Sequence, residues 1–157
     1  MSIYAYLKED HQKIKHLLGE IDALGPEETA ERSELFNRLK ATVVVHSKAE
    51  EKVFYDPLKA AADVQEEVEH GQEEHQEAEA MLEELTSSEL VGAAWFQKFQ
   101  SLKEALEHHI DEEESDIFSD AKKVVNHNVA EEMEENMRQE KLYQVAEQSI
   151  AKREHLA

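Results

Sequence analysis

Six residues stand where a helical protein normally keeps aliphatic side chains: His11, His46, Glu50, His75, His109 and Glu113. Each belongs to a stripe whose apolar members recur at steps of three and four, the spacing of one buried helix face. Around His11 the stripe reads Tyr4, Leu7, His11, Ile14, Leu18, Ile21; around His46 it reads Phe36, Leu39, Val43, His46, Glu50, Val53. His75 falls between Val68, Gly71 and Ala78, Leu82, and the stripe Trp95, Phe99, Leu102, Leu106 continues into His109, Glu113 and Ile117. Ionised carboxylates on such faces are costly unless paired or bound to a metal. In His46-x3-Glu50 and His109-x3-Glu113 the two side chains are one turn apart, so each pair can address one ion.

Four imidazoles and two carboxylates are too many donors for a single tetrahedral zinc. They suit two octahedral ions bridged by both carboxylates, each with about two histidines. A bridging oxide or hydroxide would bring each ion to about five ligands and leave room for a small exogenous molecule, a diatomic or a peroxide. Mixed nitrogen and oxygen ligation favours iron, with manganese or zinc as substitutes. The remaining histidines, His16, His70, His108, His127 and His155, lie off the stripes and read as surface residues. Glu67-x2-His70 matches a spacing found in carboxylate di-iron sites, but it occurs once and off the stripe, and reads as coincidence.

The elements that must position these residues are helices throughout. Ser2 is a cap for a first helix that Gly25-Pro26 stops. A second runs from near Thr29 past Glu50 until Pro57 ends or kinks it, with Asp56 pushed out of the helical region. A third spans about Asp63 to Leu85, and Thr86-Ser87-Ser88 connects it to, and caps, a fourth reaching about Asp120. Asn128 with Glu131 resembles a capping box, which predicts a fifth helix over about 129–153. The first two helices repeat in the next two: Asp10-His11 matches Glu74-His75, and Phe36, His46, Glu50 and Phe54 match Phe99, His109, Glu113 and Phe118. The offset is 63 or 64 residues, with Phe54 and Phe118 one residue late. The expectation is an all-α, antiparallel up-down four-helix bundle built from a duplicated hairpin, residues 1–122. An extra C-terminal helix within 123–157 packs on it or extends from it.

The 157 residues form one domain, and a formal net charge of −20 argues against nucleic acid and anionic membrane as partners. The absence of cysteine excludes disulfides, iron–sulfur clusters and thiol catalysis. No apolar run approaches a membrane span and the N-terminus lacks a secretory pattern, so a cytoplasmic protein is expected.

The segments Asp10-His11, His46 to Pro57, Glu74-His75 and His109 to Phe118 resemble the hemerythrin-like, or HHE cation-binding, domain over about residues 4–121. The resemblance implies a non-haem di-iron centre held by His11, His46, Glu50, His75, His109 and Glu113. It also implies a protein that binds or reduces oxygen, peroxide or nitric oxide. Two other readings stay open: an iron sensor or donor read by a protein partner, and a metal-free structural bundle. The sequence departs from true hemerythrins in one respect, since Gly71 stands where a fifth histidine is expected, one turn before His75. Gly71 is either an open place beside the metals or a close-packing position. Glu79, one turn after His75, lies just off the stripe; Tyr55 reads as packing beside Phe54, with a second reading in which Pro57 distorts the turn and brings its phenol near the centre.

Overall fold

Helix α1 (Ile3–Asp22) opens where the sequence places its cap, the Ser2 hydroxyl accepting the Ala5 N–H at 3.4 Å. In the computed structural model, which describes residues 2–87 and 89–156 with side chains through residue 150, four further helices follow. Helix α2 (29–58) comprises Thr29–Glu50, a π-helical turn Glu51–Tyr55 and a last stretch Asp56–Leu58. Helix α3 is Gln65–Thr86. Helix α4 (92–124) again contains a π turn, Glu113–Ile117, between Gly92–Glu112 and Phe118–Val124. Helix α5 is His127–Leu156. No strand occurs among the described residues.

Several boundaries differ from expectation, each for a local reason. Ala23 ends α1 in a right-handed conformation, its N–H reaching Gly19 O, so Gly25 is not a left-handed cap; its N–H is taken instead by Glu28 Oε2 at 2.7 Å. Asp56 stays helical (φ −58°, ψ −46°), while Pro57 follows the π turn and the helix ends one residue later, at Leu58. A π turn already leaves the regular hydrogen-bond ladder, which makes the missing proline N–H cheap there. Helix α4 begins only at Gly92, the one positive-φ residue (58°) among those described, and Ser87 Oγ accepts from Glu89 within the loop. Ser88, part of the expected cap, lies outside the described residues. Asn126 caps α5 in place of Asn128, its Oδ1 accepting the Val129 N–H at 2.9 Å.

α1 to α4 form the antiparallel bundle, with α1 against α2 and α3 against α4, and α5 lies across α1 and α2. The apolar core falls into two collars. One gathers Ile14, Leu18, Leu39, Leu82, Trp95, Phe99 and Leu106; the other gathers Ile3, Leu7, Phe54, Tyr55, Val68 and Phe118, and takes Ala130, Met133 and Met137 from α5. Between the collars lies a polar layer.

Candidate metal centre

That layer contains all six residues singled out above. Each is at most 6% exposed, and Glu50 and Glu113 are fully buried. Glu50 Oε1 is 3.7 Å from His46 Nε2 and 3.3 Å from His75 Nε2. Glu113 Oε1 is 3.3 Å from His11 Nε2, and its Oε2 is 3.4 Å from His109 Nε2. The rings form two pairs, His11 with His46 at 5.2 Å and His75 with His109 at 4.7 Å between centroids. Each carboxylate therefore reaches both pairs. Donors around an ion with bonds of about 2.0–2.2 Å stand about 3.0–4.2 Å apart, and all four separations fall in that range.

Every Nε2 points inward, and in three of the four rings a carboxylate accepts a hydrogen bond from the other ring nitrogen. His46 Nδ1 donates to Asp10 Oδ2 at 2.9 Å, His109 Nδ1 to Glu74 Oε1 at 2.9 Å, and His11 Nδ1 to Glu114 Oε2 at 2.6 Å. Glu51 stands 3.8 Å from His75 Nδ1 in the fourth case. A proton held on Nδ1 leaves the Nε2 lone pair free for a cation. Asp10 is itself anchored by Lys141 of α5 at 2.7 Å. Sequence reasoning missed these acids, although the paired dipeptides Asp10-His11 and Glu74-His75 and the doublets Glu50-Glu51 and Glu113-Glu114 carried the signal.

Burial pushes the Glu50 carboxyl well up and the charge of Glu113 adds to it. Burial acts on Glu113 in the same sense, but the imidazoles of His109 and His11 beside it hold it well below the usual carboxylate range. Burial also lowers His46, to about 4, against the pull of Asp10; in His109 it is outweighed by Glu113 and Glu74, which raise it to about 9.

Tyr55 takes both of the roles that the sequence offers it. On an unbroken α-helix it would lie opposite His46, whereas the π turn at Glu51–Tyr55 delays the rotation and buries it fully. It packs beside Phe54 as expected, at 6.0 Å, but its ring also stacks on His75 (5.2 Å, 11°) and its hydroxyl donates to Glu113 Oε2. Phe118 stacks on His11 in the same manner (6.3 Å, 12°). The structural partner of Phe118 in the repeat is thus Tyr55, not Phe54, and the offset of 63 is kept. A Cβ on Gly71 would come within 2.8 Å of the Tyr55 oxygen. The place beside Gly71 is therefore filled by the phenol and is not open. Glu79 faces away, lining a groove with Lys40 and Lys48.

The sequence profile of the hemerythrin HHE cation-binding domain matches residues 2–121. The chain belongs to that family. Among solved structures, this HHE-domain chain is similar to a hemerythrin HHE cation-binding domain-containing protein of Mycobacterium kansasii, at 27% identity and a TM-score of 0.79. The alignment covers 93% of this chain and 89% of the other. No curated protein matches the chain significantly in sequence. No helix among the described residues is long and apolar enough to cross a membrane.

Proposed function

We propose that this HHE-domain protein holds two iron ions and binds or reduces a small oxidant: oxygen, peroxide or nitric oxide. The observation that carries the reading is a set of stranded polar atoms. His11 Nε2, His109 Nε2, both oxygens of Glu50 and Glu113 Oε1 are buried without a hydrogen-bond partner among the described residues. Each such atom costs about 1–3 kcal/mol, and cations would satisfy all of them at once. In this reading His11 and His46 hold one ion, His75 and His109 hold the other, and Glu50 and Glu113 serve both. The mixed donor set suits iron ahead of manganese or zinc. When bound, the ions would supply electrons and a coordination position for the oxidant.

The chain's own residues then have distinct tasks. Asp10, Glu74 and Glu114 fix the orientation and tautomer of three imidazoles through Nδ1. The two apolar collars keep bulk water from the layer. Tyr55 keeps a proton on its oxygen, raised well above the ordinary phenol range by burial and the charges of Glu113 and Glu50. That proton lies at Glu113 Oε2, where reduction of an oxidant would require one. The symmetric position, Phe118, can offer none.

Iron-supplemented aerobic expression should yield about two irons per chain, with ferric absorption in the near ultraviolet. One zinc per chain, or no metal, would overturn the reading. A second reading, an iron sensor, is favoured by one feature: Lys141 joins α5 to His46 through Asp10, just before the exposed Leu142, Tyr143 and Val145. Metal at His46 would then be communicated to a surface that a protein partner could read.

A further inference from the structure

The face of α3 and α4 outside His109 carries a second constellation of histidine and glutamate. His70 and Glu74 are one turn apart on α3, with Nε2 and Oε2 separated by 3.6 Å. His108 and Glu112 are one turn apart on α4, separated by 3.1 Å. Across the two helices His70 Nε2 is 3.9 Å from Glu112 Oε1, and His108 Nε2 is 4.0 Å from Glu74 Oε2. Donor atoms of His70, Glu74 and Glu112 all lie within 4.8 Å of one another.

Three of these four separations, 3.6, 3.9 and 4.0 Å, are longer than those of ion pairs. A charged N–H···O contact closes to about 2.7–2.9 Å, whereas donors sharing a cation stand about 3.0–4.2 Å apart. The chain supplies its own comparison. His16 with Glu20 and His127 with Glu131 have the same sequence spacing and close to 2.7 and 3.0 Å on exposed helix faces. In the α3/α4 cluster, by contrast, four side chains converge from two helices. Glu112 Oε2 is a buried atom with no hydrogen-bond partner among the described residues. His70 and His108 are 54% and 70% exposed, so an ion can reach them from solvent, while Glu74 and Glu112 form the floor at 15% and 31%. Glu74 is shared with the buried layer: Oε1 accepts from His109 Nδ1, and Oε2 faces His70 and His108.

We infer that His70, Glu74, His108 and Glu112 form a second, solvent-facing site for a divalent transition-metal cation, joined to the buried layer through Glu74. Two imidazoles and two carboxylates offer the donors of a four-coordinate site, which water can expand. The net charge of −20 concentrates cations around the molecule, and this cluster is where imidazole selects a transition metal over calcium or magnesium. The inference uses its own four donors and does not require iron in the buried layer.

Zinc is the probe for the test. Iron-loaded protein, stripped of loosely held metal by brief chelation and desalting, is titrated calorimetrically with zinc. The wild type should take up one exchangeable zinc per chain. His70→Gln/His108→Gln should weaken that uptake on the order of 100-fold, with tightly held iron and helical circular dichroism unchanged. His16→Gln/His127→Gln, which removes the ordinary pairs, should bind zinc as the wild type does. If the wild type takes up no exchangeable zinc, or the His70/His108 variant binds it equally well, the cluster is only a set of surface ion pairs. Failure of the di-iron reading has a separate signature: no chelator-resistant iron, with the zinc still lost in the His70/His108 variant.

Discussion

At the scale of single residues, Gly71 and Tyr55 act as a pair. A glycine within a helix normally gains roughly 1 kcal/mol on replacement by alanine. Here the new methyl would meet the Tyr55 oxygen at 2.8 Å and the ring carbons at 3.1 and 3.2 Å. The ring cannot easily retreat, being fully buried and stacked on His75. Gly71→Ala should therefore destabilise the protein by about 1–3 kcal/mol, the usual cost of overpacking. Tyr55→Phe in the same chain should recover part of the loss, because the closest atom is gone. Urea unfolding of the two single variants and the double variant measures the coupling. An alanine variant more stable than the wild type would show that Tyr55 does not occupy this place. By the same contact, a histidine at position 71 could not supply a fifth imidazole unless Tyr55 gave way.

At the scale of elements, the two π turns and α5 matter most. Both π turns begin beside the bridging candidates, Glu50 and Glu113, and rotate the following aromatic residues onto the histidine rings. α5 reaches the layer through Lys141 and Asp10, behind His46. Outer hydrogen bonds of this kind govern metal affinity by roughly 10–100-fold. Lys141→Met should thus lower iron retention about tenfold in a chelator competition; unchanged retention would make α5 a packing element only. The α3/α4 seam carries a pH-dependent strain as well. Burial, with Asp120 and Asp116 facing it, raises half-buried Glu67 to about 7. A carboxyl raised on folding does no harm below its ordinary value near 4.5, and stability is lost as pH rises through about 7. Glu67→Gln should therefore raise the urea midpoint at pH 8 by more than at pH 5. An equal change at both values would remove Glu67 as the source.

At the scale of the whole molecule, a polar layer divides the core into two apolar collars. Close packing continues on either side, so the layer's unpartnered atoms cannot be relieved by local collapse. Cation binding to the folded state alone would stabilise it by about 4 kcal/mol at a thousandfold excess over the dissociation constant. For a chain of this size that corresponds to roughly 8–16 °C in melting temperature. Loaded and chelated samples compared by calorimetry should differ by that order. Identical melting would contradict a cation in the buried layer.

The helical period, the duplication and the six layer positions were legible in the sequence, because each depends on spacing along one chain segment. A stripe at steps of three and four commits a face to the interior wherever its partner helix comes from, and imidazole or carboxylate within it stands out against leucine. Periodicity alone left Tyr55 undecided, since one wider turn shifts every later residue around the axis and Pro57 hints at a distortion without giving its size. His70 and His108 were equally hidden. Each resembles the ordinary surface pair His16–Glu20, and only the stagger of α3 against α4 brings the two together over Glu74. Rotation and axial offset between helices are set by packing across the whole interface. For that reason the tertiary structure alone decided which acid meets which histidine, what fills the place beside Gly71, and which surface histidines converge on Glu74.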